Sequence, residues 1–380
     1  MQYLQVSEKT KPKGLENIGA TCYMNSVLQC FYHVKALTNE LLKINSPLPM
    51  TSAYLDAIRQ LSNNSIPSAR PIAFKNVISL NPLFTGIQAN DSKDLILYFL
   101  ETIENELTVL NYFCQNQKYF NRIRFIENRN EPELNNIITL FENTHKSVIS
   151  DLFYGFKSQL LECKNCHKKL LNYQIFNIII FPIEQVYNSL NNKTTNEKYN
   201  NYYRSNNEYG NFYNGWNSSY SNKRGGYGYG YESKKKVTIE ECFENEVKDT
   251  EFSGENQVYC NICNKLSNAK SENRIYSTPH IFILVLNRGK GNQFDCDVEF
   301  PENNLDIRKY VEKKDVPVNY NLVGVISHLG ESSMNGHFIA DCKHFDGRWY
   351  TFSDSSVSGP SYSYSKKGTP YILFYQNKEL

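Results

Sequence analysis

The sequence has almost no excess of either charge. It holds 41 Lys+Arg against 39 Asp+Glu in 380 residues, a formal +2. That gives little general attraction to polyanions and argues against a nucleic-acid coat protein. Long hydrophobic runs are also missing. The longest aliphatic stretches, Phe176–Ile183 and Ile281–Leu286, fall well short of the roughly 20 residues of a membrane-spanning helix. The N-terminus, Met1-Gln-Tyr-Leu-Gln, has neither a charged region nor an apolar one, so no secretory signal is expected. A soluble intracellular chain follows as the expectation, cytoplasmic or nuclear, a monomer with no membrane partner.

Hydrophobic residues make up 40% and charged residues 21%, enough apolar matter for a core. The 28 Tyr, 22 Phe and 47 Asn read as the signature of an AT-rich genome rather than of a function. The length exceeds what one compact core fills, which predicts subdomains or a large insertion.

Ten cysteines without a signal peptide point away from a disulfide framework. Two CxxC pairs, Cys163/Cys166 and Cys260/Cys263, stand out. Each puts two thiolates on one side of a tight turn, and two such knuckles make a tetrahedral sulfur site suited to a structural Zn²⁺. Chance pairs or a redox dithiol are the alternatives. His167 adjoins Cys166, but four thiolates already close the site.

The pairs are separated by 93 residues, and composition explains why. Residues 187–236 hold ten Tyr, twelve Asn and six Gly, with Leu190 as the single aliphatic side chain. Such a segment cannot bury enough apolar surface to offset chain entropy and reads as a low-complexity, disordered insertion. Its removal leaves 43 residues between the pairs. The insertion carries a local +5 and an RGG/YG-like run from Ser221 to Tyr231, a pattern that binds RNA or self-associates by stacking. A tolerated loop expansion is the preferred reading, because loop closure grows only slowly with length.

The N-terminal third has helical spacing. Met24, Val27, Leu28 and Phe31 make one face of a helix over Cys22–His33, and Leu95, Phe99, Ile103 and Leu107 one face over Asp91–Leu110. Asp91 can cap the latter. Strand-like runs follow: Phe153–Leu161, Lys169–Ile180, Ile281–Leu286, Leu322–His328, His337–Cys342, Arg348–Phe352 and Tyr371–Tyr375. Helices first and strands later predict an α+β fold with segregated layers.

Gly14 to Gln29 leads a Gly-punctuated loop into a helix whose first turn holds Cys22. The free N–H groups and positive dipole end favour a thiolate there. The Cys22 amide and the Asn17 side chain can supply donors to an oxyanion. His337 opens a later strand behind Gly336, which permits close backbone approach, and can act as base and then acid. A core cysteine is the plain alternative for Cys22 and a structural role for any histidine.

The Cys22 segment resembles the Cys box of the ubiquitin-specific proteases. Gly336-His337 with Trp349-Tyr-Thr-Phe-Ser-Asp-Ser-Ser-Val357 resembles their His box. Asn90-Asp91-Ser-Lys-Asp94-Leu is similar to the family's Gln-Asp-Ala-x-Glu-Phe segment. Asp151–Gly155, the CxxC pairs and Pro370–Tyr375 fall in the family's order, so the resemblance runs from about Pro12 to Gln376. It implies a papain-like fold with a helical thumb, a β palm and β fingers carrying a zinc ribbon. The implied layout is an N-terminal extension at 1–13 and one catalytic domain at 14–380. Within it the thumb covers about 14–145, the fingers about 155–186 and 237–275, and the palm about 146–154 and 276–380. The 187–236 insertion would leave from the fingers.

The implied activity is cysteine-type hydrolysis of isopeptide and peptide bonds after the C-terminal glycine of ubiquitin, with ubiquitin and ubiquitinated proteins as partners. The resemblance assigns Cys22 as nucleophile and His337 as proton shuttle. Asp91 and Asp94 match positions that recognise ubiquitin's basic tail, Phe338 and Tyr371 match aromatic positions that narrow the channel for its glycines, and Gly336 counts with them as substrate-binding. The position that orients the histidine is Ser353 here, with Asp354 next, so the expected triad is Cys22–His337–Ser353 with Asp354 assisting near the oxyanion. Adjacent strand residues face opposite ways, and Asp354 cannot replace Ser353 unless the backbone bulges. A catalytically weak ubiquitin-binding scaffold and a zinc-ribbon RNA-binding protein are the competing readings.

Overall fold

The computed structural model describes residues 5–113, 132–191, 235–289, 293–332 and 335–380. Cys114, most of the Tyr/Asn-rich insertion and its RGG/YG run lie outside them. The first half is helical: α1 (Cys22–His33), α2 (Lys35–Leu41), α3 (Pro49–Ser62), α4 (Ile72–Ile78), α5 (Ser92–Phe113), α6 (Pro132–Thr144) and α7 (Val148–Phe153). Then come β1 (Gly155–Cys163), β2 (Lys169–Phe176), β3 (Ile179–Pro182), α8 (Ile183–Asn191), β4 (Lys236–Thr238), α9 (Ile239–Glu246), β5 (Thr250–Phe252), β6 (Val258–Cys260), β7 (Lys265–Ser267) and β8 (Ala269–Ser277). The remainder is β9 (Ile281–Asn287), β10 (Asp297–Glu299), β11 (Leu305–Asp306), β12 (Asn319–Ser332), β13 (Asn335–Lys343), β14 (Trp349–Ser353), β15 (Ser356–Ser361) and β16 (Thr369–Asn377).

Three layers result. The helices form the thumb around Phe31, Tyr54, Phe74 and Phe99, whose rings meet at 4.9–6.3 Å. The palm is a sheet in the order β15-β14-β13-β12-β16-β9-β3, with β11 beside β12. The fingers are the sheet β2-β1-β8-β5 and the hairpin β6-β7. The thumb packs on the palm through α1. Its C-terminal half puts Cys30 Sγ 3.8 Å from Cys342 Sγ on β13, and the Phe31 ring 5.4 Å from Phe374 on β16.

The 3.6-residue spacing predicted one apolar face on α1, yet every residue of the helix is buried. Its polar side, Asn25, Gln29 and His33, is covered by the palm and the chain before it. Lys169–Ile180 was expected as one strand but divides into β2 and β3, and Phe153 ends α7 rather than opening β1.

Two expected boundaries also move. β3 was placed in the fingers, but it joins the palm as a parallel neighbour of β9, with Ile179 beside Leu284. Ile179 and Phe181 are buried in a core shared with α8, α9 and the palm strands. The insertion was expected to start at Tyr187 and end at Lys236. In the structure α8 continues to Asn191 and β4 starts at Lys236. Tyr187 is held 5.8 Å from the Phe294 ring, with Lys235 Nζ 4.6 Å over Phe294, and β4 pairs with β10. An aromatic contact and a strand pair thus order both ends of that segment, which roots on the palm flank and not on the fingers. The segment before Gly14 is also tied down. The Val6 amide donates to Asn39 Oδ1 at 3.0 Å, and Lys13 Nζ donates to the carbonyls of Gln60 and Asn63.

Candidate active site

The loop before α1 has an unusual course, with Gly19 at φ +119° and Ala20 at φ +46°. The Asn17 side chain stabilises it. Asn17 Oδ1 accepts from the Gly19 amide at 3.1 Å and the Thr21 amide at 3.2 Å. These contacts fix which end of the amide is nitrogen. Asn17 Nδ2 donates to Asp354 Oδ2 at 2.9 Å, and its second hydrogen is left for another acceptor near Cys22.

Cys22 is the first residue of α1 and is 6% exposed. The backbone of Phe338, the residue after His337, favours its thiolate. The helix start was expected to favour the thiolate, but burial pushes the thiol up, and the Asp354 charge adds to this. Hydrogen bonds from the backbone of Phe338, Tyr23 and Cys22 itself oppose it without prevailing.

His337 lies on β13, and its Nε2 is 2.8 Å from Ser353 Oγ on β14. The expected pair Ser353–His337 is therefore in contact through Nε2. No direct Cys22–His337 hydrogen bond is formed, a looseness common in unliganded sites. Asp354 follows in the Ser353–Ser356 hairpin with φ +51°, and its carboxylate is taken by two amide side chains. Asp354 Oδ1 accepts from Asn25 Nδ2 at 2.7 Å, while Oδ2 takes Asn17. Its carbonyl accepts the Leu15 amide at 2.9 Å. The hairpin passes so close to Gly14 that a Cβ there would lie 2.5 Å from Asp354 O.

Farther along the cleft, Asp91 stands before α5. Its carboxylate accepts from the Lys93 amide and from Tyr371 Oη, each at 2.8 Å. Helix capping and the contact with β16 are thus made by one side chain. Burial pushes its pKa up, against the Lys93 charge and those hydrogen bonds. Asp94 turns instead to Lys93, 3.1 Å away. Phe338 and Tyr371 are buried, with ring centroids 6.1 Å apart. Gly336 packs closely against the neighbouring strand. A Cβ there would lie 2.1 Å from His328 Cε1, so the glycine makes room for an imidazole.

Two residues beside the site went unassigned in the sequence. Asn25 anchors Asp354 and also donates to the Leu15 and Glu16 carbonyls. Its signal was a polar residue one turn after Cys22, on a helix with no polar face to spare. His328 is buried with Nε2 unpartnered and its ring 4.8 Å from Phe338. Nothing local marked it, because its neighbour Gly336 comes from the next strand.

At the fingertips the four sulfurs of Cys163, Cys166, Cys260 and Cys263 lie within 4.8 Å of one another. Cys163–Cys263 is 3.8 Å and Cys166–Cys260 is 3.6 Å. A tetrahedron with zinc–sulfur bonds of about 2.3 Å has edges of about 3.8 Å, so the set fits such an ion. His167 and Asn264, each directly after a knuckle, turn left-handed at φ +57° and +52°. His167 is directed to Glu162, 3.2 Å away. Knuckle amides, those of Cys166 and Asn165 foremost, pull the Cys163 thiol down to about 6.

Cys22 opens a helix that packs against β13, the strand that carries His337, so the site lies on a helical-to-β boundary. The chain belongs to the ubiquitin carboxyl-terminal hydrolase family, whose model matches residues 13–375. It is 24% identical to ubiquitin carboxyl-terminal hydrolase 2 of Homo sapiens, over 96% of this chain and 54% of that protein. The figures for ubiquitin carboxyl-terminal hydrolase 21 of Rattus norvegicus are 24%, 96% and 61%. The chain thus spans a little over half the length of these relatives. Among solved structures it resembles the SAGA Ubp8/Sgf11/Sus1/Sgf73 DUB module bound to ubiquitin aldehyde. That match has a TM-score of 0.63 at 20% identity and covers 99% of this chain and 72% of the other. The fold is that of the ubiquitin-specific proteases.

Proposed function

We propose that this chain is a deubiquitinase that hydrolyses isopeptide and peptide bonds after the C-terminal glycine of ubiquitin. The observation that carries the reading is the pairing of His337 with Ser353 on the palm, together with the Asn17–Asp354 pair whose carboxylate acts on Cys22 at the head of α1. The family and a structural relative bound to ubiquitin aldehyde support it.

In this reading Cys22 Sγ attacks the carbonyl. His337 takes the thiol proton on Nδ1, which requires the hydrogen on Nε2 and makes Ser353 Oγ its acceptor. The serine fixes the tautomer but brings no charge to the imidazolium. Asn17 Nδ2 and the Cys22 amide donate to the oxyanion, and Asp354 with Asn25 holds Asn17 in place. His337 then protonates the leaving amine, and water resolves the acyl-thioester. Asp91 and Asp94 would meet the basic tail, with Phe338 and Tyr371 walling the path of its glycines. The four fingertip cysteines would hold one structural zinc, which adds folding energy and no chemistry.

The test is reaction with ubiquitin bearing a C-terminal electrophile. We expect a covalent adduct that maps to Cys22 and is absent from Cys22→Ala. An unmodified wild-type protein after long incubation would sink the proposal.

A further inference from the structure

One large cavity among the described residues lies outside the cleft. It has a volume of about 760 Å³ and sits where β9 and β12 begin and β16 ends. The cleft lies at the other end of the same strands, roughly 20 Å away for strands of this length. Arg308, Lys313, Lys314 and Lys378 line the cavity, against Asp315 and Glu379. Some exposed cations elsewhere are paired, as Lys309 with Glu244 at 2.8 Å and Lys164 with Glu251 at 2.7 Å. Among the described residues, Arg308 and Lys314 have no acidic partner.

The wall carries a second, independent sign. Ser277, the last residue of β8, is 3% exposed, lines this cavity, and its Oγ has no hydrogen-bond partner. A buried hydroxyl left without a partner is costly, and a ligand oxygen would remove that cost. Cations around a concavity also focus potential more strongly than the same charges on a flat face.

We infer that this cavity binds a small polyphosphate anion. The volume falls within the range of small-molecule sites, roughly 300–1,000 Å³, and is too large for one phosphate to reach all its walls. The cations come from three separate segments, at 308, 313–314 and 378, which suits a chain of phosphates rather than a point charge. Guanidinium and ammonium donors match phosphate oxygens. Tyr154 is the aromatic in the wall, and its hydroxyl is already given to Glu104, so recognition rests on phosphates rather than on stacking. Because Tyr154 and Ser277 border the fingers while the cations sit on the palm, a bound anion would brace one against the other.

Titration of the full chain with sodium tripolyphosphate and with ATP at 150 mM salt tests this, read by calorimetry and by the unfolding temperature. We expect saturable 1:1 binding and a raised unfolding temperature. The double change Arg308→Glu with Lys314→Glu should weaken binding at least tenfold and leave the ligand-free unfolding temperature unchanged. Ser277→Ala should weaken binding without lowering ligand-free stability, since it removes an unpartnered group. Equal affinity for both ligands assigns recognition to the phosphate chain, and tighter ATP binding adds nucleoside contacts. Either supports the site if the double change abolishes it. The inference fails if neither ligand binds, if sodium sulfate at matched ionic strength stabilises equally, or if Lys11→Glu with Lys35→Glu on the thumb weakens binding as much.

Discussion

Asp354 and Ser353 are neighbours in sequence and divide two tasks between them. Ser353 touches the imidazole, while Asp354 touches Asn17 and Asn25. Loss of an oxyanion donor costs roughly 10²–10³ in kcat. Asp354→Ala acts through Asn17, so we expect it to lower kcat at least tenfold and more than Ser353→Ala does. Ser353→Asp should be neutral or faster, because it adds charge beside His337. Asp354 also raises the Cys22 pKa. Asp354→Asn should therefore move the pH profile of Cys22 alkylation by iodoacetamide to lower pH even as kcat falls; an unmoved profile would contradict this electrostatic role. The residue types and the order of Cys22, His337 and Ser353 were readable from the chain. Asn25 and His328 were not, because their partners come from segments hundreds of residues away or from the adjacent strand.

Among elements, the long periodic ones were the legible ones. The predicted face of α5, Leu95, Phe99, Ile103 and Leu107, is buried in full, and each predicted palm strand is present. What periodicity missed was set by tertiary pairing. β3 is apolar enough for either sheet and joins the palm because β9 offers it a parallel edge. Both sides of α1 are buried because the helix lies between thumb and palm. The β6-β7 hairpin is too short to stand alone, and its exposed Tyr259, Ile262 and Leu266 give it no core. Its stability must come from the cysteine cluster. We expect about one zinc per chain by metal analysis. Cys163→Ser or a chelator should remove the metal and the hydrogen-exchange protection of β6 and β7, and leave that of α1 and β12 intact.

Across the whole molecule, the end of α1 ties three parts of the chain together. His33 Nδ1 donates to Gln29 O at 2.8 Å, His344 Nε2 to Thr10 O at 2.7 Å, and the inner nitrogens face each other at 2.9 Å. One added proton would complete the row, worth about 1 kcal/mol for a hydrogen bond. Burying that charge costs several kcal/mol, and Asp346 helps only from a distance while Arg348 opposes it at His344. Burial and the neighbouring imidazole push His33 down to about 3, and burial pushes His344 down as well. Unfolded histidines take up protons near pH 6.5 while this pair does not, so its contribution is whole above that pH and is lost as pH falls. Urea unfolding between pH 7 and 5 should show this decline, and His344→Gln should flatten it.

The same tie has a mechanical side. Cys30 against Cys342, His33 against His344 and Phe352, and Thr10 across the top pin one end of α1 to the palm. The end that carries Cys22 is held by the loop before it and by Asn25. Twelve residues of helix make a rod of about 18 Å. Asp354 ties the other end to the same sheet through Asn25 and Asn17, so the rod is pinned at both ends and the thiol is held in register with the palm.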